Sequence, residues 1–335
     1  MRILIAIPSQ DRATGNWVTG RRFQRGLEGH GHVVALCDCP LDPSVLEVTV
    51  AAFVPDLVVL LHAYRTGRPW LEVSRRHPQP CMVVLTGTDV HHGMADPDQG
   101  PLIEQVLRQA GAVVSQNPLT SETLRRERPD LAPRLHYLPP GIELGADPYA
   151  LRQLHAIPAD RFLFLCPASV RPVKGVLELI HRFDSLARRR NDFHLACCGP
   201  ILDDDYGRGF LAAVAERPWA CYLGVVPAEA MPAAMRQAEV IVNNSVSEGL
   251  PNALLEAVVL GRAVLARDIP GNAAIIKSGI NGLLYSAAGE FEHAAGRLLD
   301  DPELLASLSI PSPHSYAPQN EALELDRLCR LFKPF

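Results

Sequence analysis

Short runs built almost wholly from valine, isoleucine, leucine and alanine recur along this chain, spaced widely enough for a helix to fit between them. In the first half they are RILIAIP, HVVALC, DLVVLLH, CMVVLT, GAVVSQ and LHYLP. In the second they are RFLFLCPA, FHLACCG, ACYLGV, EVIVNNS and RAVLARD. A strand with one face in water alternates apolar and polar residues. A strand that is apolar throughout is covered on both faces, as in parallel sheets flanked by helices. Between these runs lie helix-length segments such as 18–29 and 99–110, and later 173–190, 205–216, 227–237 and 251–260. The pattern predicts an α/β protein with two doubly wound, Rossmann-like sheets in tandem. A length of 335 residues fits two domains of roughly 150 residues each.

The stretch from Gly141 to Ala159 has no strand-like run and contains Pro148 and Pro158. The junction is placed there, with one domain over 1–150 and a second over 151–315. In the last segment, 316–335, residues 318–332 carry Leu323, Leu325, Leu328, Leu331 and Phe332 at helical spacing. They predict a terminal helix that packs back on the N-terminal domain.

Composition removes several classes of function. A formal net charge of −5 gives no basic excess for coating nucleic acid. No run of uncharged apolar residues reaches membrane-spanning length. The opening MRILIAIPSQDR reads as a buried strand ending at Pro8 rather than as a signal peptide. Eight cysteines (Cys37, Cys39, Cys81, Cys166, Cys197, Cys198, Cys221 and Cys329) form no CxxC pair and no zinc-like spacing. They read as buried free thiols in a reducing, cytoplasmic setting. His91 and His92 near Asp89 and Asp96 match no standard ligand set and read as a solvent loop, so no metal or cofactor is expected. Arg21, Arg22 and Arg25 read as a solvated basic face of the first helix.

In doubly wound folds ligands sit beyond the carboxyl ends of the strands, near helix N-termini. Two tandem sheets of this kind usually face each other across a cleft, so the loops after the strands are the place to look. After RFLFLCPA comes S-V-R-P-V-K-G, with Lys174 at the expected helix start and Arg171 three residues before it. A cation at that end of a helix opposes the helix dipole, a conflict that a bound anion removes. The pair suits a diphosphate, although a solvated basic loop would read the same way. After EVIVNN comes S-V-S-E-G-L-P-N-A-L-L-E-A-V-V-L. Pro251 suits a first helical position, with Glu248 in the loop before it. Glu256 stands in a helix apolar nearly all round, and a buried carboxylate there needs donors. The hydroxyls of a ribose would serve, and so would a cation within the core. The offset between the glutamates is about two turns, roughly 12 Å if helical. In the first half, Gly15, Asn16 and Thr19 follow RILIAIP, while His62, Tyr64 and Arg65 follow DLVVLL. Gly15 permits close backbone approach, Asn16 or Thr19 can cap or donate, and Arg65 suits an anionic acceptor.

Taken together these motifs resemble the retaining family-4 glycosyltransferases, which have the two-domain GT-B fold. S-E-G-L-P-N-A-L-L-E-A is similar to their E-x7-E signature, and R-P-V-K-G to their phosphate clamp, with a shorter spacer. A-R-D-I-P-G-N-A-A-I-I-K-S-G-I-N-G-L-L-Y and L-P-P-G-I-E resemble further segments of that family. Within it, T-G-N-W-V-T, L-H-A-Y-R, G-T-D-V and S-V-S-E-G resemble the glycosyltransferase 1 domain-containing proteins. The G-N-x-V-T and L-T-G-T-D-V pieces are also similar to selenosugar synthases.

The resemblance implies a retaining transfer from a nucleoside-diphosphate sugar, usually a UDP-sugar, to a small acceptor. It implies that Arg171 and Lys174 bind the donor diphosphate, with Glu248 on the sugar, Glu256 on the ribose, and Gly249 and Leu250 beside the donor. The selenosugar likeness implies an alternative in which UDP-GlcNAc reacts with selenophosphate or a sulfur nucleophile. A non-catalytic nucleotide-sugar binder is the remaining alternative. Many family members carry a histidine where this chain has Thr86. The role of that histidine does not transfer, and Asp89 is expected to contact sugar or acceptor.

Overall fold

The computed structural model describes residues 1–9, 15–91, 93–312 and 316–332. By their internal contacts the residues form two units. One comprises Met1–Glu143, Glu248–Leu250 and Tyr316–Phe335; the other comprises Leu144–Ser247 and Pro251–Ser315.

The sheet of the first unit contains β1 (Arg2–Pro8), β2 (Val33–Cys39), β3 (Leu57–Leu61), β4 (Cys81–Leu85), β5 (Ala112–Ser115) and β6 (Leu135–Tyr137). All pairs are parallel and the order is β2-β1-β3-β4-β5-β6. Every residue of β3 and β4 is buried, as their uninterrupted apolar runs require. The pleat sends Leu4, Val58 and Leu60 to one face, with the helices Ser44–Phe53 and Gly100–Gln109. It sends Ile3, Ile5, Val59 and Leu61 to the other, with Phe23, Leu27, Leu325 and Leu328. Burying each such side chain contributes about 1.5–3 kcal/mol.

The second unit repeats the plan with β7 (Phe162–Pro167), β8 (Phe193–Cys198), β9 (Ala220–Tyr222), β10 (Val240–Asn243), β11 (Ala263–Arg267) and β12 (Leu283–Tyr285). The strands are again parallel, in the order β12-β11-β10-β7-β8-β9. One core gathers Phe164, Phe183, Phe193 and Phe291, whose rings pack edge to face or tilted. β12 and the helices Ala288–Asp300 and Pro302–Leu308 lie beyond the elements predicted from sequence.

Strand order turns this architecture into a map of where ligands bind. In the first sheet the chain leaves β1 toward β2 and then returns on the other side as β3. In the second it leaves β7 toward β8 and β9, then returns as β10. The loops at these two reversals diverge and leave a crevice at the carboxyl ends of the strands. The first reversal carries Gly15, Asn16, Thr19, His62 and Arg65. The second carries Arg171 and Lys174, and the loop after β10 runs on from it to Glu248.

Two sequence expectations change at the first unit's surface. The terminal helix is Pro318–Arg330, and its contact face is Glu321, Leu325, Asp326, Leu328 and Cys329. Leu323 and Leu331 are exposed. Leu323 is two residues from Leu325, so on a helix the two point to opposite sides. Arg22 is not part of a solvated basic face. It is buried, and its Nε and Nη2 donate to Glu321 Oε2 at 2.5 Å and Oε1 at 3.0 Å. Arg21 is half-buried and Arg25 exposed.

Candidate functional site

At the second unit's reversal, β7 ends at Pro167 and Val170 N–H donates to Pro200 O at 2.8 Å. Arg171 is extended, Pro172–Lys174 makes one 3-10 turn, and Gly175 adopts φ 60° before the helix Val176–Ala187. Lys174 therefore stands ahead of this helix, not at its first position as the sequence suggested. The helix's own first turn holds Glu178, the charge its dipole favours. Gly175 is required twice: its φ is left-handed, and a Cβ there would lie 2.7 Å from Asn244 O.

Asn244, just past β10, ties the two loops together. Its Nδ2 donates to Gly175 O at 2.6 Å, while its Oδ1 accepts from Tyr285 Oη at 2.6 Å and Arg182 Nε at 3.1 Å. Val246 N–H donates to Val173 O at 2.9 Å. The Arg171–Lys174 turn is thus fastened to the loop that continues into Glu248. Nearby, Asn272 is fully buried, and its Nδ2 bridges Asn243 Oδ1 at 3.1 Å and Arg267 O at 2.8 Å. Sequence reasoning missed Asn244, Asn272 and Arg182. The paired asparagines at the end of β10 were visible but read only as the end of a strand.

Glu248, Gly249 and Leu250 are each half-buried. The helix that follows is Asn252–Leu260, beginning one residue later than predicted, with Pro251 as its extended N-cap. The expectation that this helix is buried all round is corrected. Leu254, Leu255, Ala257 and Val258 face the core, whereas Asn252, Ala253, Glu256, Val259 and Leu260 form a half-buried stripe at helical spacing. Glu256 lies on that stripe and is half-buried. Its charge lies near the end of β8. The Cys198 thiol is pushed up chiefly by burial, with Cys166, Cys221 and then Glu256 adding to the effect.

At the first unit's reversal, Gly15 is exposed, and Asn16 and Thr19 are half-buried. All three lie in the helix Gly15–Gly29 and not in a loop before it. Residues 10–14, which complete the connection, lie outside the described residues, as does His92 of the proposed solvent loop. His62 is buried with φ 85°, an uncommon conformation for a non-glycine residue and one that clusters at functional sites. Its Nδ1 accepts from the backbone N–H groups of Tyr64 and Arg65, both at 3.2 Å. That nitrogen therefore carries the lone pair, and Nε2–H donates to Thr88 Oγ1 at 3.0 Å.

Asp89 is fully buried. Its Oδ1 accepts from Gly87 N–H at 2.8 Å and Thr86 N–H at 3.1 Å, and its Oδ2 from Ala63 N–H at 2.9 Å. These bonds join the loops after β3 and β4. They make Asp89 a brace for the backbone at this end of the sheet. In the same unit, Asn117 Nδ2 donates to Gly249 O at 2.7 Å.

Burial pushes the His62 pKa below its ordinary value of 6.5, with Asp89 opposing and Arg65 reinforcing the shift. The folded protein therefore resists a proton that the unfolded chain accepts. Stability from this group is full at pH above about 6.5 and is lost as pH falls through that value toward the folded pKa. Asparagine tolerates positive φ and can place an oxygen near the Nδ1 position. His62→Asn is expected to flatten the loss of stability between about pH 7.5 and 5.5. Urea unfolding of both proteins at the two pH values checks this; equal losses would contradict it.

Among the described residues no three His, Cys, Asp or Glu side chains come together as a metal site, and no helix is long and apolar enough to cross a membrane.

Residues 160–301 match the family described as Glycosyl transferases group 1. Over 322 residues the chain is 29% identical to glycosyltransferase 1 domain-containing protein 1 of Xenopus tropicalis, covering 94% of this chain and 92% of that protein. Sucrose-phosphate synthase from Thermosynechococcus elongatus superposes with a TM-score of 0.83 at 17% identity, covering 98% of each chain. The Anabaena protein HepE, solved in complex with UDP and glucose, superposes with a TM-score of 0.78 at 16% identity, covering 99% of this chain and 98% of that one. The fold, two parallel six-stranded α/β sheets, is that of the GT-B glycosyltransferases, and with the match over 160–301 and the near full-length relative the enzyme is a glycosyltransferase.

Proposed function

We propose that the protein is a retaining glycosyltransferase that takes a UDP-sugar and moves the sugar to a small acceptor. The observation that carries this reading is the β7/β10 reversal. There the Arg171–Lys174 turn and the loop of Glu248 are joined by the Val246–Val173 and Asn244–Gly175 hydrogen bonds. A diphosphate beside that turn meets two cations, and the half-buried Glu248 and Glu256 supply acceptors for sugar and ribose hydroxyls. Gly249 and Leu250 line the donor without side-chain charge. The solved HepE complex with UDP and glucose supports the choice of donor, and the E-x7-E resemblance supports retention.

In the proposed step the bond between the sugar's anomeric carbon and the diphosphate oxygen breaks, and its electron pair leaves with the diphosphate. The acceptor's nucleophilic atom bonds to the same face of that carbon, and its proton passes to the departing phosphate oxygen. Arg171 and Lys174 stabilise the charge that develops on the leaving group, the role preorganised cations serve best. Because these side chains supply the positive charge, the reading needs no metal or further cofactor. The eight cysteines are free, seven of them buried, and this suits the reducing cytoplasm in which we place the enzyme.

A second reading, favoured by the cationic turn at Arg65, has selenophosphate or a sulfur nucleophile as acceptor; comparing selenophosphate with alcohols separates the two. The test of the main reading is incubation with UDP-sugars and a panel of small acceptors, following UDP release and the anomeric configuration of the product by NMR. Release of UDP with retained configuration is expected. Inversion, or no release with any acceptor, would overturn the reading.

A further inference from the structure

The first unit's reversal holds a cation that grips no carboxylate among the described residues. Arg65 follows β3 and is half-buried. Of the other half-buried arginines, Arg128 holds Glu104 and Asp130, Arg152 holds Glu239 and Arg217 holds Asp184, while Arg182 and Arg262 bond an amide or carbonyl oxygen. Arg65 makes no side-chain hydrogen bond or ion pair among the described residues. Burial, its largest influence, pushes its pKa down, and the Asp89 charge pulls it back only in part. Asp89 is near enough to be felt, yet its oxygens are turned to the N–H groups of Ala63, Thr86 and Gly87. It is braced away from the guanidinium, although its charge still weakens any anion bound there.

The backbone around Arg65 is held by two side chains. His62 Nδ1 takes the N–H groups of Tyr64 and Arg65, and Thr66 Oγ1 donates to the carbonyls of Leu61 and His62. His62 holds φ 85° to do this. Its Nε2–H fills a lone pair of Thr88 Oγ1, so the Thr88 hydroxyl hydrogen points elsewhere as a donor. The Arg65 backbone and a hydroxyl donor are thus held by one histidine at the carboxyl ends of β3 and β4, beside the kind of strand-order reversal at which doubly wound sheets bind ligands. Placing a cation in a partly desolvated site without a direct ion pair is costly unless an anion arrives.

We infer that the acceptor is anionic, a phosphate ester or carboxylate held by Arg65 and the Thr88 hydroxyl, and that His62 is the positioning residue for both. The inference deepens the proposed transfer and rests on it for the word acceptor, but the anion site itself can be probed alone.

The experiment has two arms. In the first, inorganic phosphate is titrated into the full-length protein without donor, and binding is followed by calorimetry for wild type, Arg65→Gln and Arg171→Ala. Arg65→Gln is expected to weaken phosphate about tenfold or more, as loss of a charged hydrogen-bond partner does, while leaving UDP binding unchanged. Arg171→Ala is expected to do the reverse. Phosphate binding that survives Arg65→Gln and disappears in Arg171→Ala would place the anion at the donor clamp and overturn the inference, leaving the donor reading intact.

In the second arm, UDP-sugar turnover is compared for glycerol, glycerol phosphate and glycerate. A preference for the charged acceptors that collapses in Arg65→Gln, with donor KM unchanged, is expected. His62→Asn retains the acceptor for the two backbone donors and is expected to keep more of that preference than His62→Ala. Equal use of neutral and charged acceptors by the wild type, or a preference untouched by Arg65→Gln, would overturn the inference. UDP binding lost from the wild type in the first arm would overturn the donor reading instead.

Discussion

Lys174→Ala is expected to cut sugar transfer about a hundredfold or more, the usual cost of removing one stabiliser of transition-state charge. Pro172–Lys174 is a single 3-10 turn closed by Gly175 in the left-handed region, and Asn244 locks Gly175 through its carbonyl. The ammonium is therefore presented from a fixed turn rather than from a mobile loop. Negative charge on the diphosphate grows as the sugar leaves, so the loss should fall on kcat more than on donor KM. Lys174→Arg, which keeps the charge with altered shape, should recover part of the rate. Rates of UDP release at saturating donor decide the matter. A Lys174→Ala enzyme with wild-type kcat would remove Lys174 from the chemistry.

Glu321→Ala is expected to destabilise the first unit by about 3–5 kcal/mol, the cost of stranding a buried charge. Glu321 and Arg22 have side-chain exposures of 2% and 7%. They share two hydrogen bonds, and Gln116 Nε2 adds a third to Glu321 Oε1 at 2.5 Å. Removing the carboxylate leaves the guanidinium buried beside the interface of the terminal helix with Gly15–Gly29, where Gly26 and Ala322 already meet closely. Few alternatives remain, because the close helix approach leaves little room for water. The melting transition of this unit should fall by roughly 6–20 °C. The double replacement Arg22→Met with Glu321→Leu should restore most of the loss, since apolar residues of similar volume often match a buried pair. Calorimetry of the three variants separates this from a simple packing defect, for which the double variant would be no better than the single.

What could be read from the sequence follows from which signals are local. A run such as LVVLL has one good solution, a strand covered on both faces, and β1, β3, β4, β7, β8, β10 and β11 all lie within their runs. The loops bearing Arg171, Lys174, Glu248, His62 and Arg65 were legible for the same reason, because each follows a recognisable strand. β12 was not, since LLY is only three residues and sits behind a turn. The half-buried stripe of the Asn252–Leu260 helix was hidden because Val259 and Leu260, apolar by type, share it with Glu256. The roles of Asp89, Asn244, Asn272 and Glu321 depend on partners brought close by the fold. Arg22 and Glu321 are 299 positions apart, and nothing in PQNEALELDRLCR marks Glu321 as the acidic residue that is buried. His62 reads as an ordinary residue after a strand until its φ and its two backbone donors are seen.

The central claim is that a nucleoside diphosphate binds the Arg171–Lys174 turn. Calorimetric titration of UDP, UMP and uridine into the wild type and an Arg171→Ala/Lys174→Ala variant tests it most directly. The account predicts that the wild type prefers UDP to uridine by at least about tenfold, in keeping with charge-assisted phosphate contacts, and that the double variant loses this preference while retaining weak uridine binding. Equal affinity for UDP and uridine in the wild type, or an undiminished preference for UDP in the double variant, would contradict it.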